Sequence, residues 1–204
     1  IYTRSRIDLK KYGLDRIPRL QIDVLKRMFN ISIWTMIQNI ISFSTWFLFF
    51  LYIEHLGERA LAITHLVRAI SGVLFMMMTA FASTCGSLVS NLIGAERPDE
   101  VAPTILRHLR IAYIVVLPLA LLFSLFPEFI LSIYTDIPEL ITASIPSLWV
   151  MCASFLFQIP GHVYFLSVSG TGNTQKAFIL ELIALVFYVS YITYIILYLR
   201  MDVA

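Results

Sequence analysis

Long runs without a charged residue set the pattern of this chain. No charge interrupts Ile31 to Ile53 or Ala69 to Ile93, and Ala177 to Leu199 contains only Glu181. Ile111 to Phe126 is apolar and continues past Pro127 through Phe129, Ile130 and Leu131, while Ser144 to Val168 holds one histidine, His162, and no charge. A helix needs about 20 apolar residues to cross a hydrocarbon core roughly 30 Å thick. In lipid a helix also satisfies its own backbone hydrogen bonds. The runs therefore predict an all-α integral membrane protein, a polytopic bundle over 31–204 with spans at about 31–53, 61–93, 109–131, 144–168 and 177–199. Residues 1–30 are expected to form a basic cytoplasmic linker and the start of the first helix. Leu20, Val24, Met28 and Ile31 fall at helical spacing beside Lys26 and Arg27, with Pro18 placed for a first turn. A separate interfacial helix there is the alternative.

Composition agrees with this reading and charge orients it. The 204 residues are 59% hydrophobic and 14% charged, with mean hydropathy +0.82. A soluble domain carries about 25% charged residues to wet its surface. Eight Lys and Arg precede Asn30, three lie between Gly94 and Arg110, and Lys176 sits in the turn before the last span. The opposite side has only Arg59 and Arg200, so the positive-inside rule predicts a cytoplasmic N-terminus in a cell (inner or plasma) membrane. The chain opens on Ile1, and its basic first residues look like the tail of an upstream loop and not like a targeting signal. Cys85 and Cys152 lie in apolar stretches and read as small buried hydrophobes. The basic residues flank membrane segments without a stacking motif, so nucleic acid is not an expected partner; membrane lipids are.

Within the spans, a few residues carry chemistry. Ala82, Gly86, Ser90 and Gly94 recur every four residues and predict close helix contact. Pro118, and Pro160 with Gly161, remove backbone donors inside helices and mark either hinges or static bends. Gln38, Ser42 and Thr45 share a face with Asn39 beside it, and Ser154, Gln158 and His162 repeat every four residues. Such stripes avoid lipid and face protein or water, so they serve interhelical bonding or line a cavity. Arg68 reads as a side chain reaching for the interface. Glu181 is expected barely one turn into its helix and partly hydrated. His162 titrates near neutral pH if water reaches it, and a proton relay between His162 and Glu181 is one hypothesis.

Three short stretches resemble the multidrug and toxic compound extrusion (MATE) family of exporters. Leu56-Gly57 with Ala60-Leu61-Ala62 is similar to its loop into the second helix of a half. Leu92-Ile93-Gly94-Ala95-Glu96-Arg97, followed by Asp99-Glu100, is similar to its cytoplasmic turn after that helix. Ser169-Gly170-Thr171-Gly172-Asn173-Thr174 is similar to the turn closing the fourth. Gly94 and Gly172 suit tight exits at positive φ, and Asp99 and Glu100 suit the start of a helix. The resemblance implies two six-helix halves around a central cavity. The chain then corresponds to five helices of one half, expected to be the second half without its last helix, with the first half as the alternative. It further implies alternating-access export of amphipathic, cationic small molecules coupled to H⁺ or Na⁺, with no cofactor and with the N-terminal half of the same protein as partner. Some members place carboxylates near the positions of Gln38 and Gln158. Gln binds a cation through its carbonyl but releases no proton, so coupling falls to an acid in the other half, or to Glu181 and His162. Trp46, Phe75, Met76, Phe155 and Tyr164 are candidate drug contacts, with ordinary packing as the plainer reading.

Other functions fit less well. The chain lacks the Gly-rich loop ending in Lys-Ser or Lys-Thr that holds ATP phosphates. It has no HExxH motif and no carboxylate pair within the spans, so an integral-membrane enzyme lacks its chemistry. A lipid-linked saccharide flippase of the same broad fold remains the nearest rival, although the spans offer a cationic cavity only Arg68. A receptor or purely structural bundle would leave the three motifs unexplained.

Overall fold

The computed structural model describes residues 21–194 and is helical almost throughout. Helices α1 (Ile22–His55) and α2 (Glu58–Gly94) are followed by a 3₁₀ turn, Pro98–Glu100, that leads into α3 (Val101–Leu125). A short α4 (Pro127–Ser132) precedes α5 (Pro138–Gly170) and α6 (Thr174–Thr193). Five of these, α1, α2, α3, α5 and α6, are long and apolar enough to cross a membrane. Residues 1–20, which include Pro18, and 195–199 of the fifth predicted span lie outside the described residues.

Three long helices form the core. α2 packs most extensively on α5, and α3 packs against both. Leu74 and Met78 of α2, Val116 of α3, and Leu148, Phe155 and Ile159 of α5 are fully enclosed between them. Nearer the C-terminal ends of α2 and α5, Ala82, Cys85, Val89 and Val163 form a second cluster. Because lipid supplies no hydrophobic drive, backbones must come close to gain dispersion and polar contacts. A Cβ at Gly86 would stand 2.7 Å from the Leu166 carbonyl oxygen, and one at Gly170 would collide with the carbonyl of Gly86. Cys85 Sγ lies 3.3 Å from Ser167 Oγ across the same crossing, and both cysteines are buried free thiols. The expected small-residue stripe is half right: Ala82 and Gly86 make the crossing, whereas Ser90 and Gly94 are exposed because the contact face moves to Val89.

α3 runs antiparallel to α5 and is fastened at two depths. The Tyr113 hydroxyl donates to the Leu156 carbonyl at 2.8 Å, and Trp149 Nε1 donates to the Ser124 carbonyl at 3.0 Å. Both acceptors are orphans for local reasons. Pro160 has no N–H to give Leu156 four residues earlier, and Ser124 lies in the last turn of α3, whose carbonyls have no helical partner.

Helix boundaries differ from the sequence expectation at two places. The third helix begins at Val101 and stops at Leu125, where Phe126 leaves helical geometry (φ −123°, ψ 54°) ahead of Pro127. Residues 127–131, expected to continue that span, instead belong to α4, which buries Leu131. The reason is local: a residue before proline is pushed out of the α region. At the end of α2 the positive φ falls on Glu96 (φ 59°), not on Gly94, which is still helical. Arg97 N–H donates to the Leu92 carbonyl and Glu96 N–H to that of Ile93, the paired bonds of a Schellman cap with Glu96 in the left-handed position. Gly172, by contrast, has the expected positive φ (80°).

Candidate functional site

α1 and α6 form a pair at the side of the core and run parallel to each other. Their seam is read in order from the N-terminal end. Thr174 Oγ1 donates to the Ile31 carbonyl at 3.1 Å, and the rings of Trp34 and Phe178 lie 5.6 Å apart. One turn further in, Gln38 Nε2 and Ser42 Oγ each donate to a different oxygen of the Glu181 carboxylate. Residues 174, 178 and 181 of α6 thus meet 31, 34, and 38 with 42 of α1, the three- and four-residue steps of a helix–helix seam.

The position of Glu181 is deeper than the sequence suggested. α6 starts at Thr174 and its end is capped by Asn173 Oδ1, which accepts from Lys176 N–H. Glu181 therefore stands about two turns, or roughly 10 Å, along the helix. Among the described residues no Lys, Arg or His forms an ion pair with it; the only ion pair described joins Arg97 and Glu100. A carboxylate at such a place depends on hydrogen bonds for its compensation, and Gln38 and Ser42 supply them. The cleft around it, lined by Gln38, Ile41, Phe178, Glu181, Leu182 and Leu185, is too narrow to admit a water molecule.

The other predicted site residues divide into those that join this cluster and those that do not. Asn39 is exposed beside Gln38, and Thr45 Oγ1 turns back to the Ile41 carbonyl at 2.9 Å. On α5, Gln158 Nε2 donates to Ser154 Oγ at 2.6 Å, and Ser154 donates to the Met151 carbonyl, so this stripe satisfies itself within its own helix. His162 Nε2 lies 3.4 Å from Thr79 Oγ1 of α2, and its ring is 5.5 Å from that of Phe75. His162 and Glu181 accordingly have different partners on different helices, and the structure does not bring them into hydrogen-bond contact. Of the candidate hinges, Pro118 is exposed in a helix that continues through it, and the carbonyl freed by Pro160 is taken by Tyr113. Gly161 is exposed, with open space where a side chain would be.

Sequence reasoning missed the joining of Gln38 and Ser42 to Glu181, and also Thr79, Tyr113 and Trp149. Thr174, Phe178 and Glu181 do fall at helical spacing on one face of α6, but that pattern does not name the helix they face. The arrangement can neutralise a carboxylate by protonation. It can also offer a small hard cation three oxygens, from the carboxylate, the Gln38 carbonyl and the Ser42 hydroxyl. The sequence model of the MatE family matches residues 35–195, a stretch that takes in all of the helices above except the first turns of α1. Comparison with individually curated proteins gives no match.

Proposed function

Because the chain belongs to the MatE family of membrane transporters, we propose that it forms part of a secondary active exporter with Glu181 as its coupling carboxylate. Members of this family are transporters and not enzymes, so the question is what drives transport and where. The reading is that amphipathic cations leave the cell in exchange for H⁺ or Na⁺, by alternating access of two similar bundles around a shared cavity.

One observation carries the proposal: an acid with no basic partner among the described residues, two turns inside an apolar helix, held by two neutral side chains of another helix. A lysine or arginine partner would fix the carboxylate as an anion. Gln38 and Ser42 do not, because a carboxamide and a hydroxyl can each donate or accept. When Glu181 is ionised, both donate to it. When it takes up a proton, it becomes a donor itself, and Ser42 or the Gln38 carbonyl can accept without leaving a polar group unpaired. Both charge states are therefore satisfied by the same three residues, as a coupling site requires. The bonds also form a polar tie between α1 and α6, so a change in protonation or cation occupancy acts directly on that seam.

The test is efflux of ethidium from drug-sensitive cells expressing the full-length gene, with and without an ionophore. The expected result is ionophore-sensitive efflux that falls about tenfold or more in Glu181→Gln, the equivalent of about 1.4 kcal/mol in the transport step. Efflux that ignores the ionophore would sink the coupled-exporter reading.

A further inference from the structure

Arg68 lies where the first two helices meet, away from the Glu181 seam. Its guanidinium sits over the ring of Trp46 (4.6 Å) and over that of Phe50 (4.8 Å), both on α1, and His65 stacks on Phe50 at 5.0 Å. The guanidinium carbon lies over both rings. The N–H groups lie in the guanidinium plane and form no hydrogen bond or ion pair with any described residue, and the side chain is exposed. A guanidinium so held keeps its fork of donors fixed and free, the geometry that matches a phosphate or carboxylate with two parallel bonds.

The level of Arg68 in the bilayer follows from α2. The charge-free run Ala69–Ile93 begins directly after it and covers roughly 37 Å at 1.5 Å per residue, enough to fill the hydrocarbon core. Arg68 is the charge that bounds this run, and its long side chain can reach the interface where lipid phosphates lie. One turn deeper on the same face of α2 is Gly72, where a side chain would find no atom within 4 Å, and one turn beyond that Met76 is 76% exposed. Below the guanidinium, then, an exposed track along α2 runs past the open position at Gly72 to the apolar side chain of Met76. With Trp46 45% exposed beside it, the set consists of a cationic head site above an exposed apolar face on which a hydrocarbon chain can lie.

We propose that Arg68, Trp46 and Phe50 form a binding site for the phosphodiester headgroup of an anionic phospholipid, whose acyl chain lies along α2 over Gly72 and Met76. The apolar track selects a lipid over a free anion, which would use only the donors at the top. The test uses the full-length transporter in detergent, titrated with phosphatidylglycerol, with diacylglycerol of the same chains and with inorganic phosphate, and read by native mass spectrometry. Wild type is expected to bind phosphatidylglycerol about tenfold more tightly than diacylglycerol. Arg68→Gln removes that preference, and Arg68→Lys keeps only part of it because a point charge lacks the fork. Gly72→Leu fills the track and weakens both lipids while the protein retains its melting temperature, which separates loss of the site from misfolding. Unchanged phosphatidylglycerol preference in Arg68→Gln would overturn the site. Inorganic phosphate displacing phosphatidylglycerol at equal concentration would overturn its assignment to lipid.

Discussion

Glu96 shows how much one residue position can carry. It occupies the left-handed position of a Schellman cap, where a side chain costs about 1–2 kcal/mol and glycine is the usual occupant. Its own carboxylate makes no described bond. Glu96→Gly should therefore raise the thermal midpoint of the purified protein, by the strain relieved less the roughly 0.5–1 kcal/mol that glycine loses in backbone entropy. A fall in the midpoint would show that Glu96 makes a stabilising contact the cap geometry does not account for. Sequence reading put the positive φ two residues early, on Gly94, because glycine is the residue type that the conformation favours. Which residue takes it depends on where the last α2 hydrogen bonds are made, and here their acceptors are Leu92 and Ile93, two residues later than a cap centred on Gly94 would use.

At the scale of helices, proline-linked bonds decide how α3 and α5 sit together. The Leu156 carbonyl freed by Pro160 has no water to turn to in hydrocarbon, and the Tyr113 hydroxyl serves it instead. Tyr113→Phe should destabilise the bundle by about 1–3 kcal/mol, the cost of an unsatisfied acceptor in surroundings without water. A melting temperature equal to wild type would show that Leu156 finds another donor. A sharper effect is expected at the α2–α5 crossing. Gly170→Ala puts a methyl into the Gly86 carbonyl, backbone against backbone, so the helices must separate along their closest contact. Loss of folded protein in detergent is the expected outcome, and a normal yield with normal melting would contradict the crossing. The helices themselves were legible in the sequence because apolar length alone defines a span. The break at Phe126 was less so, since an apolar run continues across it and only Pro127 marks the turn. Which polar stripe met which helix could not be read, because periodicity gives the face of a helix but not its neighbour. Gln38 and Ser42 were visible as a face, whereas their partner Glu181 lies about 140 residues later on a helix that packs beside α1.

For the whole molecule, the fold separates a tightly packed core of α2, α3 and α5 from the α1–α6 pair, which touches that core on fewer positions and buries little of its own surface. Such a pair can move against a rigid neighbour, and the Glu181 cluster ties its two helices together by side chains, with the Thr174–Ile31 bond nearer the N-terminal end. On the function proposed above, Ser42 and Gln38 make that tie responsive to a proton or a cation and keep it from being permanent. The sequence named Gln38, Ser42 and Glu181 individually, but it paired Glu181 with His162, whose described partners are Thr79 and Phe75. If Glu181 couples transport, the effect must appear as ion movement and not only as slower efflux. The full-length transporter, reconstituted in proteoliposomes with an internal pH or Na⁺ indicator, should release H⁺ or take up Na⁺ against added substrate in fixed proportion. Glu181→Gln should bind the substrate but move no ion with it. Ion movement in the Glu181→Gln protein equal to that of wild type would contradict the account.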